Sequence, residues 1–368
     1  MEKKELRRLA NYQSDTPVLS VYLNVDPTER TSDEYLLSLR HLLGGVREKA
    51  ATEDITAVQQ YFEHEYDWSG RGVVVFSCAS ADYWRTYSLA VPVASGATIA
   101  RRPYLSPLVA LMNAYGQYVV ALVDRQGVRL FSFRLGKLVQ EKVFEGKEVR
   151  RLKKGRGSSG GPGRRGGAPV SSRRGNEVAL RNLRDSAKFV ERYCRRQKPQ
   201  HLILAGAEHT VSQFNDLLPK ALKDIAIGPI GLDPSATEPE IRKRSLELLQ
   251  QVEEKRKAGV VEAAFTAAAK GREGVIGLDE TLSAAHEGRI QTLVIDREYH
   301  ASGYSCDNCG YLTTQTLSKC PFCEGTFVEI PDAAEAAVTK VIEDGGEIEV
   351  LDQNPKLEQA GIGAILRY

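Results

Sequence analysis

Between Gly155 and Gly175 the chain reads GRGSSGGPGRRGGAPVSSRRG, and eight of these 21 residues are glycine. Such a run buries too little apolar surface to offset the entropy of ordering it. Any core must therefore be built on either side of it. The stretch is also charged with one sign. From Lys147 to Arg184 there are 12 Lys or Arg and two acids, Glu148 and Glu177. The whole chain of 368 residues is only +2, so the remainder is net negative, 38 basic residues against 46 acidic. A plain linker has no need of a one-signed charge block. Directly after it, VALRNLRDSAKFVERYC places Leu180, Leu183, Ala187, Val190 and Cys194 on one stripe at helical spacing, predicting a helix over 177–196. A basic glycine-rich loop leading into a helix N-terminus suits a polyanion, and RNA is favoured over the linker reading. Arg150, Arg151, Lys153, Lys154, Arg156, Arg164, Arg165, Arg173 and Arg174 are the residues that would neutralise phosphates.

Hydrophobic content of 42% and charged content of 27% are ordinary for a globular chain of two or three domains. The start, MEKKELRRLANYQSD, has no apolar core like that of a signal peptide, and no run of 18 apolar residues exists to span a membrane. The expectation is a cytoplasmic protein without a membrane partner.

The pattern of strands and helices predicts an α/β fold, α+β overall, with three α/β domains in series. The first, 1–102, has a strand at 17–25 and a helix capped by Thr31-Ser32 with Tyr35, Leu36, Leu39, Leu42 and Leu43 inward. A helix at about 54–66 and strands at 73–77 and 87–93 complete it. The second, 103–233, has a helix at 106–115, strands at 117–124, 128–136 and 138–146, and the basic loop 150–176. The helix at 177–196, a strand at 201–206, a helix at 211–222 and a strand at 225–232 follow. The third, 234–368, opens with helices at 237–257 and 259–270 and carries a cysteine module at 304–326.

That module holds the most specific local signal. Cys306-Asp-Asn-Cys309 and Cys320-Pro-Phe-Cys323 are two CxxC pairs with ten residues between them. Each pair can set two thiolates on one tight turn, and four thiolates complete a tetrahedron around Zn²⁺. Gly310 and Glu324-Gly325 supply the turns of a zinc ribbon inserted in the third domain. With four protein ligands there is no open position, so the zinc is expected to be structural. GRGSSG at 155–160 matches GxGxxG formally, but no hydrophobic strand precedes it and no helix opens at it, so it is no dinucleotide fingerprint. His41, His64, His201, His209 and His286 are scattered, and no nucleophile, base and orienter can be assembled from the sequence.

The C-terminal AGIGAILRY is similar to the end of the class 1 release factors of eukaryotes and archaea. LDETLSAAHEGRIQTLVID resembles their third domain, the CxxC…CxxC ribbon resembles archaeal members, and HLILAGAEHTVSQF resembles a strand and turn of their second domain. The chain thus looks like a bacterial member of the superfamily of class 1 release factors and Pelota, the likeness being strongest over 103–368. The basic loop and Ala179-Leu180-Arg181 fall where that family carries its catalytic Gly-Gly-Gln loop and following helix. Two departures stand out. No Gln occurs between Gln140 and Gln197, so the loop is degenerate: Gly160-Gly161 is followed by Pro162, and Gly166-Gly167 by Ala168, while Gly175-Asn176-Glu177 takes the place on the other alignment. The stop-codon motif Asn-Ile-Lys-Ser is absent from 31–60, a pattern closer to Pelota. The resemblance implies a factor that enters the ribosomal A site in rescue or hibernation, without chemistry of its own. Its partners would be ribosomal RNA, the tRNA acceptor end and a translational GTPase, with the zinc-ribbon domain as a docking module. The rival reading is a peptidyl-tRNA hydrolase whose Gly166, Gly167 and Ala168 turn positions water without Gln, and a third is an RNA-binding adaptor unrelated to the A site.

Overall fold

The computed structural model describes residues 3–148, 168–271, 273–352 and 354–368. They form a mixed α/β protein of two compact units, Met1–Ala114 with Gln251–Tyr368, and Tyr115–Gln250.

The first unit begins with α1 (Lys3–Ala10), β1 (Val18–Asn24), α2 (Ser32–Val46) and α3 (Thr52–Gln60). β2 (Gly72–Cys78), β3 (Tyr83–Leu89), β4 (Gly96–Ala100) and α4 (Ser106–Tyr115) follow. The strands form an antiparallel sheet in the order β3-β2-β1-β4. β1 and β2 are central and apolar on both faces, so both are buried almost throughout. Thr31 and Glu34 close a capping box at the start of α2, which satisfies two otherwise unpaired backbone donors. Tyr35, Leu39 and Leu43 then pack on Leu19, Val21 and Leu23. The helix expected at 54–66 is α3 followed by a π-helical turn at Tyr61–Glu65, and the strand expected at 87–93 lies at 83–89.

The second unit holds β5 (Gln117–Val123), β6 (Gly127–Arg134), β7 (Lys137–Glu145), α5 (Ala168–Gln197), β8 (His201–Gly206), α6 (Glu208–Leu217), α7 (Lys220–Lys223) and β9 (Ala226–Ile230). The sheet order is β7-β6-β5-β8-β9. Its β7-β6-β5 side is an antiparallel meander, whereas β5, β8 and β9 run parallel, as crossovers through helices require. The stripe Leu183, Ala187, Val190 and Cys194 of α5 covers one face. Tyr118, Phe131, Phe133 and Ile203 fill the other, against Ile241 and Leu249 of α8 (Glu238–Ala269). α5 starts nine residues earlier than predicted, so 168–176 is helical rather than loop. Pro169, in the first turn, suits that start because its missing N–H would lack an intrahelical partner anyway. The two helices expected at 237–257 and 259–270 are the single α8; an isolated Gly259 costs about 1 kcal/mol against Ala, too little to break a helix of 32 residues.

The first unit resumes within α8 and continues with β10 (Gly274–Ile276), α9 (Leu278–His286), β11 (Ile290–Asp296), β12 (Gly303–Cys306), β13 (Leu312–Thr313), β14 (Phe327–Ile330), α10 (Ala333–Glu343), β15 (Glu347–Leu351) and β16 (Ile362–Leu366). One sheet is ordered β10-β16-β11-β15; the C-terminal GIGAILRY supplies its buried strand β16. A separate three-stranded sheet, β13-β12-β14, carries the cysteine module.

Candidate metal centre and the root of the basic segment

The two CxxC turns are built alike. Cys306 N–H donates to Tyr311 O and its own carbonyl accepts from Gly310 N–H; Cys320 N–H donates to Gly325 O and its carbonyl accepts from Glu324 N–H. Gly310 (φ +70°) and Glu324 (φ +59°) supply the left-handed residue that each turn needs. Space at Gly325 is tight, since a Cβ there would lie 3.0 Å from Cys306 Sγ. β12 presents the first turn, and the second hangs between β13 and β14. The four sulfurs of Cys306, Cys309, Cys320 and Cys323 lie within 4.8 Å of one another, with Cys306 Sγ 3.4 Å from Cys323 Sγ and Cys309 Sγ 3.5 Å from Cys320 Sγ. Cys306 and Cys320 are buried and the other two half-buried. Gly325 N–H lowers the Cys323 thiol pKa, whereas burial and the other sulfurs push Cys309 up to about 12. Sulfurs this close cannot all be thiolates unless a cation lies among them. Four converging sulfurs can therefore hold a metal ion, as the spacing predicts.

His300 is not part of that cluster. Its Nδ1 lies 2.6 Å from Asp332 Oδ2, a hydrogen bond that raises its pKa. His286 packs among Tyr311 and Phe322 beside the second turn, at ring separations of 4.9 and 4.5 Å.

The basic segment divides differently. Arg150, Arg151, Lys153, Lys154, Arg156, Arg164 and Arg165, with Gly166 and Gly167 of the candidate turn and the GxGxxG at 155–160, lie outside the described residues. Ala168 is the first residue of α5, and Arg173 and Arg174 lie within its first two turns.

What the structure adds is the root of this segment. Asn182, 2% exposed on α5, accepts from Lys147 N–H (2.9 Å) and donates to Lys147 O (2.8 Å) and Arg125 O (3.1 Å). Arg125, in the β5–β6 turn, also donates to Asn176 Oδ1 at 2.7 Å, and Gly146 N–H donates to Gln126 O at 2.7 Å. Lys147 precedes the glycine-rich stretch; Asn176 and Asn182 follow it. One buried amide therefore ties its entry, its exit and a hairpin turn together, and Gly146 must be glycine, since a Cβ would lie 2.3 Å from Asn182 Oδ1. Sequence reading missed Asn182. Its only signal is a polar residue beside the apolar stripe, one helical turn before the buried Ser186.

A second unforeseen residue is Glu335, the third residue of α10. Its carboxylate is buried and accepts from Leu105 N–H (2.7 Å), Ser106 N–H (3.3 Å) and the Ser106 hydroxyl at the start of α4. Burial pushes its pKa up to about 8 despite these donors.

Residues 103–257 match the family model "Bacterial archaeo-eukaryotic release factor family 10". Over that region the chain is release-factor-like, as its residues suggest. No curated protein matches the chain. Among solved structures it is similar to archaeal Pelota in a ribosome-bound complex with ABCE1, at 15% identity and a TM-score of 0.42, covering 100% of this chain and 94% of that one. It is also similar to Archaeoglobus fulgidus Pelota (15%, TM-score 0.36, 100% and 92% covered) and to the archaeal translation termination factor aRF1 (14%, TM-score 0.25, 100% and 99% covered). Among the described residues no helix is long and apolar enough to cross a membrane.

Proposed function

We propose that this protein is a translation factor of the release factor and Pelota type, which binds the ribosomal A site in rescue or hibernation and performs no hydrolysis itself. The observation that carries this reading is the match of 103–257 to a release-factor family, on the region that bears the clamped basic segment. The clamp argues for a positioned element, since a linker gains nothing from a buried amide joining its two ends. Twelve cations in that segment supply the contacts to ribosomal RNA or to the tRNA acceptor end. A translational GTPase is the natural partner for such a factor, and the cytoplasm its natural compartment.

The reading without hydrolysis is supported by the residues that stand where the family's Gln would be. The release-factor reaction needs a group that positions water against the peptidyl-tRNA ester, and such positioning is worth on the order of 7–11 kcal/mol in favourable systems. Pro162 has neither a side-chain donor nor a backbone N–H, and Ala168 has no polar side chain. Glu177 would bring an ionised carboxylate among RNA phosphates that repel it. The rival hydrolase reading keeps one route, a backbone N–H of Gly167 or Ala168. Zinc is the ion proposed for the four cysteines, because four thiolates in a closed tetrahedron suit its softness and leave no open position. Its role would be to hold the ribbon folded. The test is sedimentation of the full-length protein with ribosomes across a salt series: binding that weakens steeply with salt supports the reading, and no co-sedimentation at low salt refutes it.

A further inference from the structure

Within the first unit, a cleft of about 680 Å³ opens between β4 and the ribbon sheet. Its size falls in the usual range for ligand sites. The way it is lined is informative. Ala97, Thr98, Ile99 and Ala100 of β4 all border it, as do Val328, Glu329 and Ile330 of β14. Successive strand residues point to opposite faces, so a cavity lying on a face would touch every second residue. A cavity that touches consecutive residues meets the strand edge-on. Both strands are terminal in their sheets, β4 in β3-β2-β1-β4 and β14 in β13-β12-β14. Each has one ladder partner, β1 and β12 respectively. Among the described residues no hydrogen bond ends on the outward backbone groups of Ala97–Ala100 or Val328–Ile330. Two unpaired strand edges thus border one cleft. Unpaired edges are templates for another strand and are normally covered or blunted. Neither strand carries a proline or a bulge within its paired residues, although Pro331 follows β14 directly and also borders the cleft.

We propose that this cleft takes up an extended peptide segment, which adds a strand between β4 and β14 and hydrogen-bonds to one or both edges. The β14 edge sets a length of about four residues, roughly 13 Å of strand. Charge selects among peptides. Lys49 and Arg101 line the cleft, are exposed, and form no ion pair among the described residues. The other charges along it are engaged: Arg102 with Glu343, Asp332 with His300, and Asp307 with the Thr326 hydroxyl. Glu335 is bonded to α4, and among the described residues Glu329 is the one unpaired acid of the cleft. A peptide with an acidic flanking side chain therefore fits, and Val and Thr suit its core because they favour the extended backbone. Such peptide addition draws affinity from main-chain bonds and specificity from alternate side chains.

The inference does not depend on ribosome binding and is tested without it. The probe is the fluorescein-labelled peptide Glu-Thr-Val-Thr-Val-Glu, titrated into the full-length protein and followed by anisotropy. Saturable binding is expected. N-methylation of both valines, which keeps the side chains and removes two backbone donors, should weaken it at least tenfold. The double change Lys49→Glu with Arg101→Glu should weaken it at least threefold. The peptide should also slow amide exchange in 97–100 and 328–330. Absence of saturable binding, equal affinity for the N-methylated peptide, or unchanged exchange at both edges would overturn the proposal. Displacement of the peptide by a ten-residue oligothymidylate, with no penalty from N-methylation, would assign the cleft to nucleic acid and overturn it as well.

Discussion

Replacing Asn182 by Ala removes three hydrogen bonds, two to Lys147 that join the ends of the basic segment and one to Arg125 in the β5–β6 turn. Each is worth about 0.5–1.5 kcal/mol net. Lys147 is exposed, so water can replace part of what its N–H and C=O lose, whereas Asn182 itself is buried. The lower half of the range therefore applies, about 1.5–3 kcal/mol for the three together. The loss falls on local opening at the root, because the stripe Leu183, Ala187, Val190 and Cys194 still seats α5 on the sheet. Exchange of the Lys147 amide should accelerate about tenfold to a hundredfold, at 1.4 kcal/mol per factor of ten, while the amides of β5 and β8 keep their protection. Asn182→Asp should be at least as disruptive as Asn182→Ala, since it keeps the acceptor for Lys147 N–H but sets a buried carboxylate oxygen against the two carbonyls that the amide donates to. Affinity for ribosomes should drop in the same order. If Asn182→Ala leaves both the Lys147 exchange and the affinity unchanged, the clamp does not position the segment and the argument built on it is wrong.

Other outcomes follow from the same reasoning. Glu335 has a folded-state pKa raised from 4.5 to about 8, so stability on its account is fully present below pH 4.5 and declines as pH rises to about 8. That decline is on the order of 4 kcal/mol, and Glu335→Gln should abolish it in urea titrations at pH 5 and pH 8, leaving the variant the more stable at pH 8. Arg256 bridges the buried Glu253 (2.8 Å) and Glu349 (2.5 Å), so Arg256→Met should destabilise the first unit. Breaking a fully buried pair costs about 3–5 kcal/mol, and the partial exposure of Arg256 places the expected loss at about 2–3. Metal analysis of the purified protein should find one zinc per chain, absent from Cys306→Ser, and chelation should open the β13-β12-β14 sheet while the second unit is unaffected. Changing Arg164, Arg165, Arg173 and Arg174 together to Ala should flatten the salt dependence of ribosome binding, by about 0.7–0.9 in logarithmic slope for each phosphate that is no longer neutralised.

What the sequence reveals here depends on how far apart the interacting residues lie. The α2 stripe and the four cysteines are readable because the pattern repeats within one element or one short module. Gly259 misleads because a local helix breaker is judged without the neighbours that hold α8 together. Asn182 and Glu335 escape notice for a different reason. Their partners are backbone groups, 57 residues away at Arg125 and 230 away at Leu105, and a main-chain N–H or C=O carries no sequence signature. β4 is missed because GATIA is short and made of small residues, and its fit depends on pairing with β1.

Binding at the ribosome and hydrolysis can be read together on one set of ribosomes. Ribosomes carrying labelled peptidyl-tRNA are mixed with saturating protein, and bound protein and released peptide are read from the same sample. Stoichiometric binding is expected, with release no faster than in buffer. Rapid release by the wild-type protein, abolished in Gly166→Val or Gly167→Val with binding intact, would contradict that expectation and establish a hydrolase that works without glutamine.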